Sequence, residues 1–552
     1  MTRIRKTVLV AMVAVVGLFV GASNYFEINK QLEIFTNIFK EINLYYVDES
    51  QPQELMETAI NAMLKSLDPY TNYIRETDVE DFRIQTTGQY GGIGATIRKR
   101  DNKVMVAMPY KGFAADKAGL RAGDILLKID EDNLVGLDTE EVSKLLKGSP
   151  GSSFILTFER DGQVKTERIT REEVKVKSVP FSGMVAPNIG YIRLSSFTES
   201  ASKDIIDAFE ELKKNNNVEG LILDLRNNPG GLLTEAINVS NIFIPKGQEV
   251  VSTRGKVKDW DRTYKTLNNP IDTDIPLVVL INQRSASASE IVSGTMQDLD
   301  RGVVLGQRSF GKGLVQQTRK LPYGAQMKIT ISKYHTPSGR LIQAINYAER
   351  RDDGSVYKIP DSLRVAFKTQ GGREVFDGGG IDPDINMEVQ NVPKILRELI
   401  RNDYIFDYAT MFHRRVDVID EPGVFVIDDN EYQRFLDFLQ DKEISYETRT
   451  ERIIDELKET ARDEKYFESL EKELNKLKAG FADKKDVDLV TFKDEIRQQL
   501  EMEIVSRFFY QEGRAAQAIG YDIEIDSAVT ILSDLEHYHT ILSPGIEKAS
   551  TE

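Results

Sequence analysis

The spacing of apolar residues changes character several times along the chain. Between residues 26 and 87 it is helical: Phe26, Ile28, Leu32, Ile34, Phe35, Ile38, Phe39 and Ile42 recur on a repeating stripe. Pro52–Leu67 predicts a second helix, with proline in the first turn where its missing N–H costs nothing, and Asp68-Pro69 ends it. Residues 88–177 read differently. Gly88, Gly91, Gly92 and Gly94 precede short runs that predict strands at Gly94–Arg98, Val104–Met108, Ile125–Ile129, Phe154–Arg160 and Gln163–Thr170. One amphipathic helix fits Asp138–Leu146, with Val142, Leu145 and Leu146 on one face and Asp138 as N-cap.

From residue 178 to 390 the pattern alternates. Tyr191–Leu194, Gly220–Arg226, Leu277–Asn282 and Val303–Gly306 are continuous apolar runs, as expected of strands buried on both faces. Helical patterns over Ser202–Lys213, Leu233–Ile242 and Ser287–Leu299 separate them, which predicts a layered sheet with crossover helices. Ala348–Phe376 is polar, contains Asp-Gly and Gly-Gly turns, and reads as a surface hairpin or flap. Residues 391–552 are helical and strongly charged. Tyr446–Lys478, with many Glu–Lys and Glu–Arg pairs, reads as one long solvated or coiled helix, and Leu500–Phe509 is apolar enough to pack back.

The N-terminus begins Met1-Thr-Arg-Ile-Arg-Lys6 and continues as an apolar run from Thr7 to Ala22. This is the pattern of an export signal, with small residues at Val20-Gly21-Ala22 for cleavage, or of an uncleaved signal anchor holding the chain to a membrane. Either reading places the remainder outside the cytoplasm, in a periplasmic or other extracytoplasmic space. Five segments result: 1–25 signal or anchor, 26–87 helical, 88–177 β-rich, 178–390 α/β and 391–552 helical. A net charge of −16 speaks against nucleic acid as a partner. The absence of cysteine removes thiol nucleophiles, zinc–thiolate sites and disulfides.

The chemistry-bearing candidates cluster in the α/β segment. Leu277–Asp298 runs from a buried strand through a small-residue turn directly into a helix. A serine on such a turn is exposed beside free backbone N–H groups at the positive helix end, so Ser285, Ser287 and Ser289 are candidates, although serine is also an ordinary helix cap. Only four histidines are available as base: His413, His537 and His539 lie in the charged C-terminal region, and His335 in the segment Lys333–Arg340. Lysine is the alternative if burial leaves it neutral, and Gly311-Lys312-Gly313 in an uncharged context suits that role. It lacks the spacing and following Ser/Thr of a phosphate-binding loop. Gly230 and Gly231, after the strand Leu221–Leu225, either turn the chain into a helix or bring an N–H donor close to a ligand.

Taken together, Leu225–Leu233 (LRNNPGGLL), Ser285–Glu290 (SASASE) and Gly306–Gln316 (GQRSFGKGLVQ) resemble the carboxyl-terminal processing peptidases, or tail-specific proteases, over roughly residues 30–390. The resemblance implies a multidomain α+β protein with a helical N-terminal segment, a PDZ β-sandwich and an α/β crotonase/ClpP-like layered catalytic core; the helical C-terminal extension, 391–552, is longer than in compact members of the family and departs from it. It implies Ser287 as nucleophile, Lys312 as base, Gln316 as the polar residue orienting the lysine, and the N–H groups of Gly231 and Ala288 as oxyanion donors. Glu290 matches the motif without an assigned step. Gly112–Asp130 matches the PDZ pattern, and Gly91, Gly92, Ile93 and Gly94 match the loop that binds a terminal carboxylate. Ile93, Val142 and Leu145 are expected to line the peptide groove.

No cofactor or metal is expected, because Ser–Lys chemistry needs none. The expected partners are proteins with accessible C-terminal tails, a membrane if the anchor is retained, and further copies of the chain in a homo-oligomer. The competing readings are a PDZ-bearing adaptor with an inactive core and a crotonase-like acyl-transfer enzyme. The first is opposed by the presence of Ser287, Lys312 and Gln316, the second by the PDZ pattern and the Ser–Lys spacing.

Overall fold

The computed structural model describes residues 26–351, 354–485 and 487–543. The expected signal or anchor, residues 1–25, lies outside the described residues. Among those described, no helix is long and apolar enough to cross a membrane. The chain divides into two compact units, Met1–Glu76 with Gln316–Thr330, and Thr77–Val315 with Ile331–Glu552.

In the smaller unit, residues 26–45 are helical and present Ile28, Leu32, Phe35 and Ile38 largely exposed. A second helix spans Pro52–Lys65. The Asp68 carboxylate accepts the N–H groups of Tyr70 and Thr71, both at 2.8 Å, and so holds the turn after it. Strand Asn72–Ile74 then pairs antiparallel with Gln326–Lys328. The helical segment expected over 26–87 is thus divided, since its last helix, Val79–Thr87, belongs to the larger unit.

After helix Val79–Thr87, the larger unit continues with the β-rich segment expected to be a PDZ domain. Its sheet runs in the order Ala95–Arg100, Lys103–Pro109, Ile125–Ile129, Ser153–Arg160, Gln163–Thr170. The helix Thr139–Leu146 is fixed at its start by a reciprocal cap: the Glu141 N–H donates to the Asp138 carboxylate at 2.9 Å, and the Asp138 N–H donates back to Glu141 at 2.8 Å. Val104, Leu126, Val142, Leu156 and Phe158 fill the core between helix and sheet.

The α/β segment is built on a six-stranded sheet in the order Phe181–Ala186, Ile189–Arg193, Gly220–Asp224, Leu277–Ile281, Val303–Gly306, Ile385–Asn386. The first pair is antiparallel and the others parallel. Side chains alternate between its faces, as the strand period requires. Leu221, Leu223, Leu277, Val279 and Ile281 pack with the helices Ala201–Asn215, Leu233–Phe243 and Ala288–Asp298. Ile222, Val278 and Leu280 point the other way, onto Ile525, Ala528, Ile531, Leu532 and Tyr538. The cover for the second face therefore comes from the far C-terminus. The boundary read at residue 390 separates segments that share one core.

The other C-terminal helices, among them Lys394–Arg401, Tyr404–Arg415, Asp429–Leu439 and Lys493–Ile519, enclose a core of their own around Leu399, Tyr408, Phe435, Leu500 and Ile504. The apolar stretch at Leu500 does pack back. The single long helix expected over Tyr446–Lys478 is instead two, Arg449–Asp463 and Phe467–Lys485. They are broken at Lys465, whose φ is 65°, and joined by an ion pair of 2.5 Å between Lys478 and Asp455. Local charge pairing is indifferent to whether a helix continues or folds back, so the composition did not mark the break. The helical region also grips the PDZ domain. Arg98 pairs with Asp403 at 2.6 Å and stacks 3.6 Å from the ring centroid of Phe406, and Arg100 pairs with Asp407 at 2.7 Å. The polar stretch near residue 360 forms two hairpins, Ile345–Arg350 with Val356–Lys358, and Ala366–Lys368 with Glu374–Phe376.

Candidate active site

Strand Leu277–Ile281 ends at the carboxyl edge of the parallel sheet, and the turn that follows enters helix Ala288–Asp298. Of the three candidate serines, two are occupied in building the turn. Ser285 is fully buried and donates to the Leu225 carbonyl at 2.8 Å; Ser289 is fully buried and donates to the Asn228 carbonyl at 3.0 Å. Ser287 alone is partly exposed. Its backbone is strained, with φ 57° and ψ −112°. Such a conformation costs on the order of 1–3 kcal/mol for a residue with a Cβ and persists only where surrounding contacts enforce it.

The main enforcing group is Glu290, which is completely buried. Its Oε2 accepts the Ser287 N–H at 2.8 Å and the Lys312 N–H at 2.9 Å. Its Oε1 accepts the Ser309 hydroxyl at 2.5 Å and the Gly311 N–H at 2.6 Å. One carboxylate thus joins the Ser287 turn to the lysine loop. Burial pushes the Glu290 carboxyl above the usual range, against the pull of these four donors. The Glu three residues after Ser287 is the capping-box spacing, and that was the sequence sign of this role. What the spacing could not reveal was the other three donors, which arrive from Ser309, Gly311 and Lys312.

The glycine pair completes the turn. Gly230 has φ 99°, and a Cβ there would lie 2.8 Å from the Ser287 Cβ and 2.9 Å from the Ala288 nitrogen, so only glycine lets the two loops touch. Gly231 bridges to Phe197, but the bonds run from Phe197 N–H to the Gly230 carbonyl and from Leu232 N–H to the Phe197 carbonyl. The Gly231 N–H stands outside that pairing. The Ala288 N–H is at the first turn of its helix, where backbone donors have no intrahelical acceptor. Asn228 holds the loop in shape: its side chain donates to the Leu194 carbonyl at 2.9 Å and accepts the Gly230 N–H at 2.8 Å. On the lysine side, the buried Gln343 accepts the Gly313 N–H at 2.8 Å.

Lys312 is half-buried. Gln316 belongs to the smaller unit, where its amide donates to the Thr330 hydroxyl at 3.2 Å. His335, the alternative base, pairs across the sheet with Ser252, while its neighbour Tyr334 turns its hydroxyl to the Ser287 carbonyl at 3.2 Å. Adjacent strand residues face opposite sides, so the His335 ring is directed away from the nucleophile turn.

The PDZ assignments are partly redrawn. Gly91 and Gly92 are not in an open loop. They lie in strand Gln89–Gly92, paired with Glu172–Lys175, and the Gly91 carbonyl accepts the Gly148 N–H at 3.1 Å. Ile93 and Gly94 form the turn into the sheet, where Ile93 is only 3% exposed and its carbonyl accepts the Ala115 N–H at 2.7 Å. Val142 is fully buried and belongs to the domain core, so it is not an open groove wall. Leu145 is half-buried on the same helix.

Comparison with known proteins places these features in a family. Residues 188–352 match the model described as Peptidase family S41, 105–160 match a PDZ domain, and 395–532 match the C-terminal helical domain of a probable PDZ-protease. The carboxy-terminal-processing protease of Bartonella bacilliformis is 39% identical over 321 residues, 57% of this chain and 73% of the relative. A probable CtpA-like serine protease of Staphylococcus aureus is 34% identical over 346 residues, 61% of this chain and 69% of the relative. The solved photosystem II D1 C-terminal processing protease aligns with 65% of this chain and 88% of its own, at 28% identity and a TM-score of 0.35. The chain belongs to peptidase family S41 as a PDZ-bearing serine peptidase of the carboxy-terminal-processing kind.

Proposed function

We propose that the protein is an endopeptidase that cleaves exported proteins in their C-terminal regions, with Ser287 as nucleophile, Lys312 as base and the substrate tail held by the PDZ domain. The observation that carries this reading is the convergence of the Ser287 and Lys312 N–H groups on one oxygen of Glu290. It ties together two loops that are also joined by the Phe310 N–H, which donates to the Ser285 carbonyl at 3.0 Å. The neutral Lys312 amine takes the proton from the Ser287 hydroxyl as Oγ attacks the scissile carbonyl carbon. The resulting oxyanion is received by the Gly231 and Ala288 N–H groups. Collapse of the tetrahedral adduct breaks the C–N bond, and the leaving amine takes the proton back from Lys312. A water molecule then repeats the sequence on the acyl-enzyme, releasing the new C-terminus and restoring Ser287. Gln316 is assigned to orienting the lysine amine on the family resemblance.

Tail capture is supported by the sheet order, which ends on Ala95–Arg100 and leaves that strand at an edge beside the helix Thr139–Leu146. An extended peptide adds to such an edge through main-chain hydrogen bonds. Export is supported by the basic and apolar N-terminal pattern of residues 1–22. The test compares protein C-termini in cells carrying the wild-type chain and Ser287→Ala. Extended C-termini of exported proteins should accumulate in the variant, and identical profiles would refute the proposal.

A further inference from the structure

The C-terminal helical region reaches the catalytic loops from the opposite face of the sheet. Arg226, at the start of the oxyanion loop Leu225–Gly231, is 13% exposed at its side chain. Its own segment holds it through Asp224: the Arg226 N–H donates to Asp224 at 2.8 Å and the guanidinium at 2.7 Å. Asp224 is itself fixed by the Tyr191 hydroxyl at 2.6 Å. The remaining guanidinium donors are taken from far along the chain, by Glu524 at 2.6 Å and Asp522 at 2.8 Å. Glu524 does more than neutralise Arg226. Its second oxygen accepts the amide of Gln307, which opens the lysine loop Gly306–Lys312. The backbone of Gln307 is anchored to the Ile281 carbonyl at 3.0 Å, at the end of the strand that leads to the nucleophile turn.

We infer that Glu524 is a positioning residue for peptide hydrolysis, bridging the base of the oxyanion loop to the base of the lysine loop, so that the C-terminal helical region is part of the catalytic apparatus. This rests on the assignment of Gly231 and Lys312 given above. Glu290 joins the nucleophile turn and the lysine loop at their tips, but none of its four donors comes from the oxyanion loop. Glu524 links that loop, through Arg226, to the lysine loop through Gln307. Helix Ile523–Ser533 is seated on the sheet by Ile525, Ala528 and Ile531, so the carboxylate is carried on a packed element. A displacement of about 1 Å between reacting groups is enough to cost about 100-fold in rate, which is the scale on which a tie between loops matters.

The experiment uses the full chain and β-casein as an unfolded protein substrate, with kcat and KM expressed per folded molecule and thermal unfolding followed by circular dichroism. Glu524→Ala removes both contacts. It is expected to lower kcat by about 10- to 100-fold and leave KM within about twofold. Glu524→Gln is the rescue variant, because its amide can accept from Arg226 and donate to a rotated Gln307; it is expected to recover most of the lost kcat. A purely structural role would lower the unfolding temperature and the folded fraction without changing kcat per folded molecule, and that result overturns the inference. Equal loss in Glu524→Ala and Glu524→Gln also overturns it, since the bridge would then not be what matters. Ser287→Ala is run beside them: cleavage by that variant would sink the nucleophile assignment itself, a failure distinct from unchanged kcat in Glu524→Ala.

Discussion

The Glu290 carboxylate accepts the backbone N–H of Lys312 at 2.9 Å across 22 residues of sequence, and the same oxygen accepts the N–H of Ser287. Lys312 is therefore placed relative to Ser287 by main-chain contacts, which do not depend on the protonation of the lysine side chain.

Replacing Glu290 by Gln puts an amide NH₂ where two donors already point. Glu290→Gln should lower kcat by at least about 100-fold and destabilise the fold by about 1–3 kcal/mol for each buried donor left unsatisfied. Urea unfolding beside steady-state kinetics measures both. An active, fully stable variant would contradict the linking role.

Lys312→Arg keeps positive charge at the same position but cannot accept a proton, because guanidinium remains protonated throughout the working pH range. Single-turnover cleavage should fall to background in Lys312→Arg while the unfolding temperature stays close to wild type. An active arginine variant would end the Ser–Lys reading.

Gly230→Ala tests the contact between loops. The added Cβ would meet the Ala286 carbonyl at 2.7 Å and the Ser287 Cβ at 2.8 Å, all at a backbone φ of 99° that alanine resists. Activity should drop more steeply than stability, because the displaced atoms belong to the nucleophile turn. Equal, small losses in both would show that the turn yields without consequence.

In the PDZ domain the two helix positions should behave differently. Val142→Ala removes fully buried methyl groups and should cost about 1.5–3 kcal/mol of domain stability. Leu145→Asp, at a half-buried position, should weaken binding of a tail peptide in calorimetry more than it lowers the unfolding temperature. Peptides ending in a free carboxylate should bind better than amidated ones; equal affinity would argue against carboxylate capture.

Acid should destabilise the fold through two histidines. Burial holds His335 below its ordinary value, helped by Arg254, and burial holds His413 down, helped by Arg121. In the unfolded chain both take up protons near pH about 6.5. Below that value the unfolded state binds more protons than the folded one, so stability falls with pH until the lower folded values are passed. Urea midpoints measured from about pH 8 to about pH 5 should decline in the wild type and decline less in His335→Asn. Parallel profiles would show that these rings do not contribute.

Much of the architecture was legible because it is written in short-range patterns. The strands Ile125–Ile129, Gln163–Thr170 and Val303–Gly306 and the helix capped by Asp138 coincide with the expected boundaries. The break at Lys465 was not legible, since both flanking segments keep the same charged helical composition. Nor could glycine content tell that Gly91 and Gly92 extend as a paired strand, because glycine is permitted in loop and strand alike.

What the sequence determined by itself was the set of groups and their chain order: a strand, a small-residue turn with Ser287 and a Glu three residues later, a lysine between glycines, and a glycine pair after an earlier strand. These follow from local stereochemistry, which acts over a few residues. Only the tertiary structure decided which serine is exposed, that Glu290 holds both Ser287 and Lys312, and that Asp522 and Glu524 reach Arg226 from 296 and 298 residues away. Those contacts exist because alternate residues of the central strands leave the second face of the sheet apolar, and the helices that cover it are supplied by the end of the chain. Spacing along the sequence carries no record of which distant helix will supply that cover.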